Sequence, residues 1–297
     1  MIVGAVDIGT NSMRLLVTDG DTEFCRETRV TGLGRGVDAS GRFDVERGAA
    51  TLSVLGGYGR MMDRFGVERR RAVATSATRD AADGAEFVEM AGALLGTRPE
   101  VISGIEEASL SFRGAIAAVN DSLPSVVIDI GGGSTEFVFG ERSVVFATSI
   151  DLGSVRLTDR VIPSLPAPLW SVGAARAAAA RAFSDVALPG TPDRVIGVAG
   201  AFTSLSAIAL DLPAYDRDAV HGSVLTRAGL SGMIRTFAGL SLDQTAAIPS
   251  LDPKRAPVIL AGAVVAEAAL AAVGATEATI SEYDLLDALA ASLLDRP

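Results

Sequence analysis

Two stretches of the chain set an aspartate, a glycine turn and small polar residues in the same order. They are Asp7-Ile8-Gly9-Thr10-Asn11-Ser12 and Asp129-Ile130-Gly131-Gly132-Gly133-Ser134-Thr135, 129 − 7 = 122 residues apart. A glycine tip lets an anion approach the backbone with no Cβ in the way, and successive N–H groups there can hold a phosphate. The aspartate ahead of each tip can hold a magnesium ion, directly or through water. Written twice, the device suggests two halves sharing a polyphosphate-like ligand. No lysine follows either tip as a Walker-type loop requires, so a P-loop NTPase is disfavoured. The plainer alternative is a strained turn with no ligand.

The elements that must carry these tips are strands. Ile2 to Val6 and Val126 to Ile128 are apolar runs that read as buried strands, and extended segments follow at Met13 to Thr18 and Glu136 to Phe139. Residues 1–31 read as a three-stranded meander. Asp44 is the expected N-cap of a helix to about Phe65, since Val45, Ala49, Leu52, Leu55 and Met62 recur at helical spacing. A strand at Arg71 to Thr75 precedes Ser76 to Asp80 and a helix to about Leu95. A short strand at Glu100 to Ile102 leads into a helix to about Val119. The best linker is Asn120 to Ser125, dividing the chain into domains 1–121 and 122–297. Past it, a helical stretch from Asp151 is broken by Pro163, Pro166 and Pro168, Ala174 to Phe183 is helical, and Val195 to Gly200 reads as a buried strand ending in a third glycine tip. Tyr283 to Leu294 reads as an amphipathic helix that packs back on the first domain. Strands mixed with helices in two similar halves give a duplicated α/β architecture.

Composition excludes several functions. The single histidine, His221, leaves nothing from which to build a two-His zinc site, and acid–base work falls to carboxylates. His221 itself reads as a hydrogen-bonder in a loop. One cysteine, Cys25, fits a reducing cytoplasm, and the chain opens on a strand with no basic leader. A net charge of −10 argues against nucleic acid as a partner. It argues less against a polyanionic substrate, because charge-assisted hydrogen bonds act locally while surface charge is screened beyond about 8 Å. The apolar run Ala256 to Ala275 has the length of a membrane span, but Glu267 in its middle points to a buried helix, so no membrane association is expected. Arg69-Arg70-Arg71 reads as a solvated run.

Five motifs, AVDIGTNSMRLLV, ATSATRDA, VISGIEEASLSFRGA, VIDIGGGSTEF and LGSVRLTDR, stand in an order and spacing that resemble the exopolyphosphatase and guanosine pentaphosphate phosphohydrolase family of the actin-like superfamily. They span residues 5–160. Leu251 to Arg255 and Ser281 to Asp284 match more loosely. The resemblance implies two ribonuclease-H-like domains with the active site in the cleft between them. It implies that Asp7, Asp129 and Glu136 are associated with Mg2+. Thr10, Asn11 and Ser12, with Gly131, Gly132, Gly133, Ser134 and Thr135, are implied as two phosphate loops, and Ser154 and Arg156 as further phosphate contacts. Arg79 is implied to hold a terminal phosphate, Glu107 to act as base, and Glu136 to be a second essential carboxylate. Spacing alone does not choose between Glu106 and Glu107, since acidic residues suit any first helical turn. It equally allows Arg79 an ion pair with Asp80 or Asp83. Release of orthophosphate from inorganic polyphosphate is the implied activity, with guanosine pentaphosphate hydrolysis the alternative, a superfamily kinase or ATPase less favoured, and a homodimer the implied assembly. Gly200-Ala201 lacks the threonine common in relatives. The chain also stops where longer relatives continue, from which a preference for shorter polymers is expected.

Overall fold

In the computed structural model, which describes residues 1–119 and 122–294, contacts divide the chain into two units. One comprises Met1–Gly114 together with the segment from Asp284, and the other comprises Ala115–Tyr283. The division falls within a helix, upstream of the expected linker. Asn120 and Asp121 of that linker, and residues 295–297, lie outside the described residues.

The first unit is built on strands β1 (Val3–Ile8), β2 (Ser12–Thr18), β3 (Glu23–Val30), β4 (Arg69–Ala74) and β5 (Glu100–Val101), in the order β3-β2-β1-β4-β5. β1, β2 and β3 run antiparallel, as the meander predicts, and β4 and β5 continue parallel to β1. β1 is buried along its whole length, the pattern of a central strand covered on both faces. Helices α1 (Val37–Ser40), α2 (Val45–Arg64), α3 (Ser76–Asp80), α4 (Gly84–Leu95) and α5 (Gly104–Ala117) follow in the chain. α2 starts where its cap dictates: the Asp44 carboxylate accepts the Arg47 N–H at 2.9 Å. One face of the sheet packs Val6, Ile8, Met13 and Leu15 against Leu55, Met62, Phe87 and Leu95 of α2 and α4. The other face packs Val3, Ala5, Leu16 and Val73 against Leu110 of α5 and against Leu285, Leu286, Leu289 and Leu293.

The second unit repeats the plan. β6 (Ser125–Ile130), β7 (Thr135–Gly140) and β8 (Val144–Ile150) form the antiparallel meander. β9 (Arg194–Val198) and β11 (Glu277–Ile280) continue parallel to β6, and β10 (Val224–Thr226) adds an antiparallel edge. Each unit thus has the mixed, ribonuclease-H-like order expected of a duplicated α/β fold. Its helices are α6 (Ser154–Val161), α7 (Leu169–Ala182), α8 (Ala199–Ala209), α9 (Arg217–Val220), α10 (Arg227–Gly239), α11 (Leu242–Ala246) and α12 (Ala256–Ala272). α12 is the apolar run of span-like length. Twelve of its residues are buried, ten of them in the core of this unit, and Glu267 makes a two-pronged ion pair with Arg176 at 2.8 and 3.0 Å. The last helix, α13 (Leu285–Leu294), belongs to the first unit. Thr279 and Ile280, shortly before it, close β11.

Candidate active site

The two glycine turns close in the same way. Gly9 N–H donates to Ser12 O at 3.1 Å, and Gly131 N–H donates to Ser134 O at 3.0 Å. Each tip is then braced from behind through its carbonyls. In the first unit Thr10 O accepts Gly34 N–H at 2.8 Å, and Asn11 O accepts Thr31 and Gly32 N–H at 3.0 and 2.9 Å. The Thr10 hydroxyl accepts the Ala77 N–H at 3.2 Å, which ties the turn to the start of α3. In the second unit the first turn of α6 does the bracing. Ser154 N–H reaches Gly131 O at 3.0 Å, Val155 and Arg156 N–H reach Gly132 O at 2.8 and 3.1 Å, and Arg156 Nε reaches Gly133 O at 2.9 Å. The Ser154 hydroxyl also faces Gly131 O, at 3.3 Å, and the Thr135 hydroxyl donates to Leu152 O at 2.6 Å.

With the carbonyls drawn to one side, the N–H groups are left on the other. Among the described residues, those of Thr10 and Asn11 and of Gly132, Gly133 and Ser134 donate to no protein acceptor, although all five residues are buried. Buried N–H groups are nearly always satisfied, so such clusters mark places built for an outside acceptor. Ser154 and Arg156, implied as phosphate contacts, direct the hydrogen bonds given above at the turn itself.

The cross-strand partners of the two aspartates differ. Asp7 on β1 faces Arg14 on β2, and Asp129 on β6 faces Glu136 on β7, each seven residues along. Register partners share a face of the sheet. Asp7 Oδ2 therefore meets the Arg14 guanidinium, with Nε at 2.9 Å and Nη2 at 2.8 Å, while its Oδ1 is buried and accepts no hydrogen bond. Burial lifts the Asp7 carboxyl above its ordinary value, and Arg14 only partly offsets this. Burial likewise opposes the charge on Arg14, yet Asp284 and Asp7 together hold its guanidinium more firmly protonated than usual. In the second unit two buried carboxylates stand side by side, and Ser149 on β8 orients one of them by donating to Glu136 Oε1 at 2.7 Å.

Arg79 and Glu107, 28 residues apart, come together. Arg79 Nη1 donates to Ile102 O at 2.8 Å and lies 3.4 Å from Glu107 Oε2, rather than pairing with Asp80 or Asp83. Ser103 opens α5: its hydroxyl accepts the Glu106 N–H at 3.2 Å, and its carbonyl accepts the Glu107 N–H at 2.9 Å. This fixes the rotation of the first turn, so that Glu107 is 9% exposed, whereas Glu106 stays exposed near Arg71. Structure thus separates two acids that spacing leaves equivalent.

Three features read from sequence lie apart from this chemistry. His221 accepts the Glu282 N–H through Nδ1 at 3.3 Å and packs edge-on against Tyr283, as a loop hydrogen-bonder. The arginine run is not simply solvated: Arg69 donates to Leu293 O, Arg70 to Leu95 O and Asp63, and Arg71 to Glu100 and Ser292. Gly200 lies in the first turn of α8 rather than at the end of a strand, with the Arg255 guanidinium packed directly over it. Arg14, Ser103 and Ser149 were not singled out by sequence. The signal for Arg14 was present, since it stands where Glu136 stands in the second copy.

Residues 17–296 match the Ppx/GppA phosphatase family. The chain is 41% identical to a Mycobacterium tuberculosis protein named exopolyphosphatase 2, over 98% of both chains. It is 30% identical, over 54% of this chain and 33% of the relative, to a Vibrio cholerae protein named guanosine-5'-triphosphate,3'-diphosphate pyrophosphatase. Among solved structures, an exopolyphosphatase from Cytophaga hutchinsonii superposes with TM-score 0.88 at 25% identity, covering 99% of this chain and 98% of that one. A Ppx/GppA family member from Aquifex aeolicus superposes with TM-score 0.82 at 30% identity, covering 100% and 99%.

Proposed function

The chain belongs to the Ppx/GppA phosphatase family, and from that membership we propose that it hydrolyses the terminal phosphoanhydride bond of inorganic polyphosphate and releases orthophosphate. The observation that carries the proposal is the Arg79–Glu107 pair, a cation suited to a terminal phosphate held 3.4 Å from a carboxylate suited to a water. Phosphoryl transfer asks little covalent work of a protein. It asks for a positioned nucleophile and for donors aimed at the phosphoryl oxygens. Glu107 orients a water toward the terminal phosphorus and takes its proton as the new P–O bond forms. The bridging oxygen leaves with the shortened chain, and orthophosphate departs. Arg79 and the N–H groups of Thr10 and Asn11 in the first unit, and those of Gly132, Gly133 and Ser134 in the second, are each suited to phosphate oxygens, such a bond to a charged acceptor contributing about 1.5–3 kcal/mol.

Magnesium fits the residues present. Asp129 and Glu136 offer two adjacent buried carboxylates, and Asp7 offers the unsatisfied Oδ1. Among the described residues no group of three or more His, Cys, Asp or Glu side chains converges, so no all-protein cage is formed. Magnesium suits such a setting, being held by one or two carboxylates and completed by water and phosphate. When bound it would neutralise charge on the phosphoryl oxygens.

The test is orthophosphate release from short polyphosphate, long polyphosphate, guanosine pentaphosphate and ATP, with magnesium. Release from polyphosphate is expected, and Glu107→Gln should lower kcat by about 10²–10⁴, the usual worth of a general base, with KM nearly kept. Full turnover by that variant would remove Glu107 from the role. The similarity to the Vibrio cholerae protein supports guanosine pentaphosphate as the second substrate to consider. Rapid ATP hydrolysis with none from polyphosphate would overturn the reading.

A further inference from the structure

We infer that Arg14 and Asp284 form a positioning strut through which the C-terminal segment holds Asp7 and the helix bearing Glu107 in working alignment. The inference rests on the proposed hydrolysis and adds to it residues that act through Asp7 and α5. Arg14 lies between two acids. It takes Asp7 Oδ2 through Nε and Nη2, and Asp284 Oδ2 through Nη1. Asp284 is 270 residues away in sequence and 3% exposed. It is held in turn by α13: its Oδ1 accepts the Leu286 N–H at 3.0 Å, its carbonyl accepts the Ala288 N–H at 3.2 Å, and its own N–H donates to Asp287 Oδ2 at 3.0 Å.

The same residue meets α5. The backbone of Asp284 packs so tightly on Gly114 that a side chain there would collide with the Asp284 carbonyl. Gly114 lies seven residues, close to two helical turns, beyond Glu107. One junction therefore touches the strand pair that ends in the first glycine turn and the helix that begins with the candidate base. The second unit has no counterpart, because Glu136 occupies the register position of Arg14. An ion pair that served packing alone would need no link to Asp7. Here the guanidinium uses its fork to fix which oxygen of Asp7 is engaged and which is left open, a task suited to arginine and poorly done by lysine.

Asp284→Asn separates positioning from folding, because the amide oxygen can still cap α13 while the charge facing Arg14 is lost. The expected result is a kcat at least tenfold below wild type on polyphosphate, KM within twofold, and a melting temperature close to wild type. Amide exchange at Gly9, Gly32 and Gly34, whose N–H groups close and brace the first turn, should quicken. Arg14→Lys should fall between wild type and Arg14→Met. Ser292→Ala, which alters the same helix without touching Asp284 or Arg14, should keep kcat. An Asp284→Asn protein with kcat within twofold of wild type and unchanged exchange would overturn the inference, as would an equal loss in Ser292→Ala. If the wild type released no orthophosphate the proposed hydrolysis would fail, and the exchange measurement would still decide the strut.

Discussion

Arg79 divides one guanidinium between the Ile102 carbonyl and Glu107, so its position depends on the segment just before α5 as much as on its own short helix. Both contacts leave from Nη1, so lysine at this site would keep the charge and lose the rest of the planar fork that can hold a phosphate. Arg79→Lys is therefore expected to lower kcat/KM by about 10- to 100-fold, the equivalent of one charge-assisted hydrogen bond of about 1.5–3 kcal/mol, as measured by orthophosphate release. Tyr58 offers a test of stability that leaves the chemistry alone. Its hydroxyl donates to Met13 O at 2.9 Å and its ring is 2% exposed; burial raises the phenol well above its ordinary value. A group that holds its proton more tightly when folded gives stability that is complete below the unfolded value, near pH 10, and is lost as pH rises beyond it. Denaturation from pH 9 to 11 should show wild type losing stability more steeply than Tyr58→Phe, which itself should cost about 1 kcal/mol at neutral pH for the missing hydrogen bond.

At the scale of elements, the close approach of α6 to the glycine turn is what gathers its carbonyls on one side. Gly153 permits that approach, since a Cβ there would meet Gly132 C at 2.5 Å and Gly131 O at 2.6 Å, both backbone atoms unable to give way cheaply. Gly153→Ala should cost about 1–3 kcal/mol from overpacking in urea titration, and should depress phosphate release more than that loss implies, because the turn itself must shift. Elements defined by local chemistry were legible in the sequence. Asp44 announces α2 through its own side chain, and the two Asp-Ile-Gly units announce their hairpins through strand pattern and glycine. Where tertiary contact decides, the sequence misleads. The helix expected after Asp80 does end at Leu95 as α4, but its start is set by Gly84, packed under the Thr78 carbonyl, which no local signal announces. The resemblance pointed to Ser154 and Arg156 as phosphate contacts, but that they brace the carbonyls of the second tip depends on the packing of α6. The partnership of Arg14 with Asp284 spans nearly the whole chain and has no local signature.

For the molecule as a whole, the first unit is discontinuous in sequence. Its sheet is covered on one face by α13, whose Leu285, Leu286, Leu289 and Leu293 are each at most 5% exposed. Burying four leucines at about 1.5–3 kcal/mol each gives a sum comparable to the entire net stability of a domain, about 5–15 kcal/mol. A chain ending at Tyr283 should therefore lose the cooperative unfolding transition of the first unit in calorimetry while retaining that of the second. Retention of both transitions would show that α13 is dispensable. The second unit, by contrast, is one uninterrupted stretch. Domains commonly mature in the order in which they are synthesised, and here that order is inverted. The portion made first must wait with one side of its sheet only partly covered, by α5, until α13 has been synthesised.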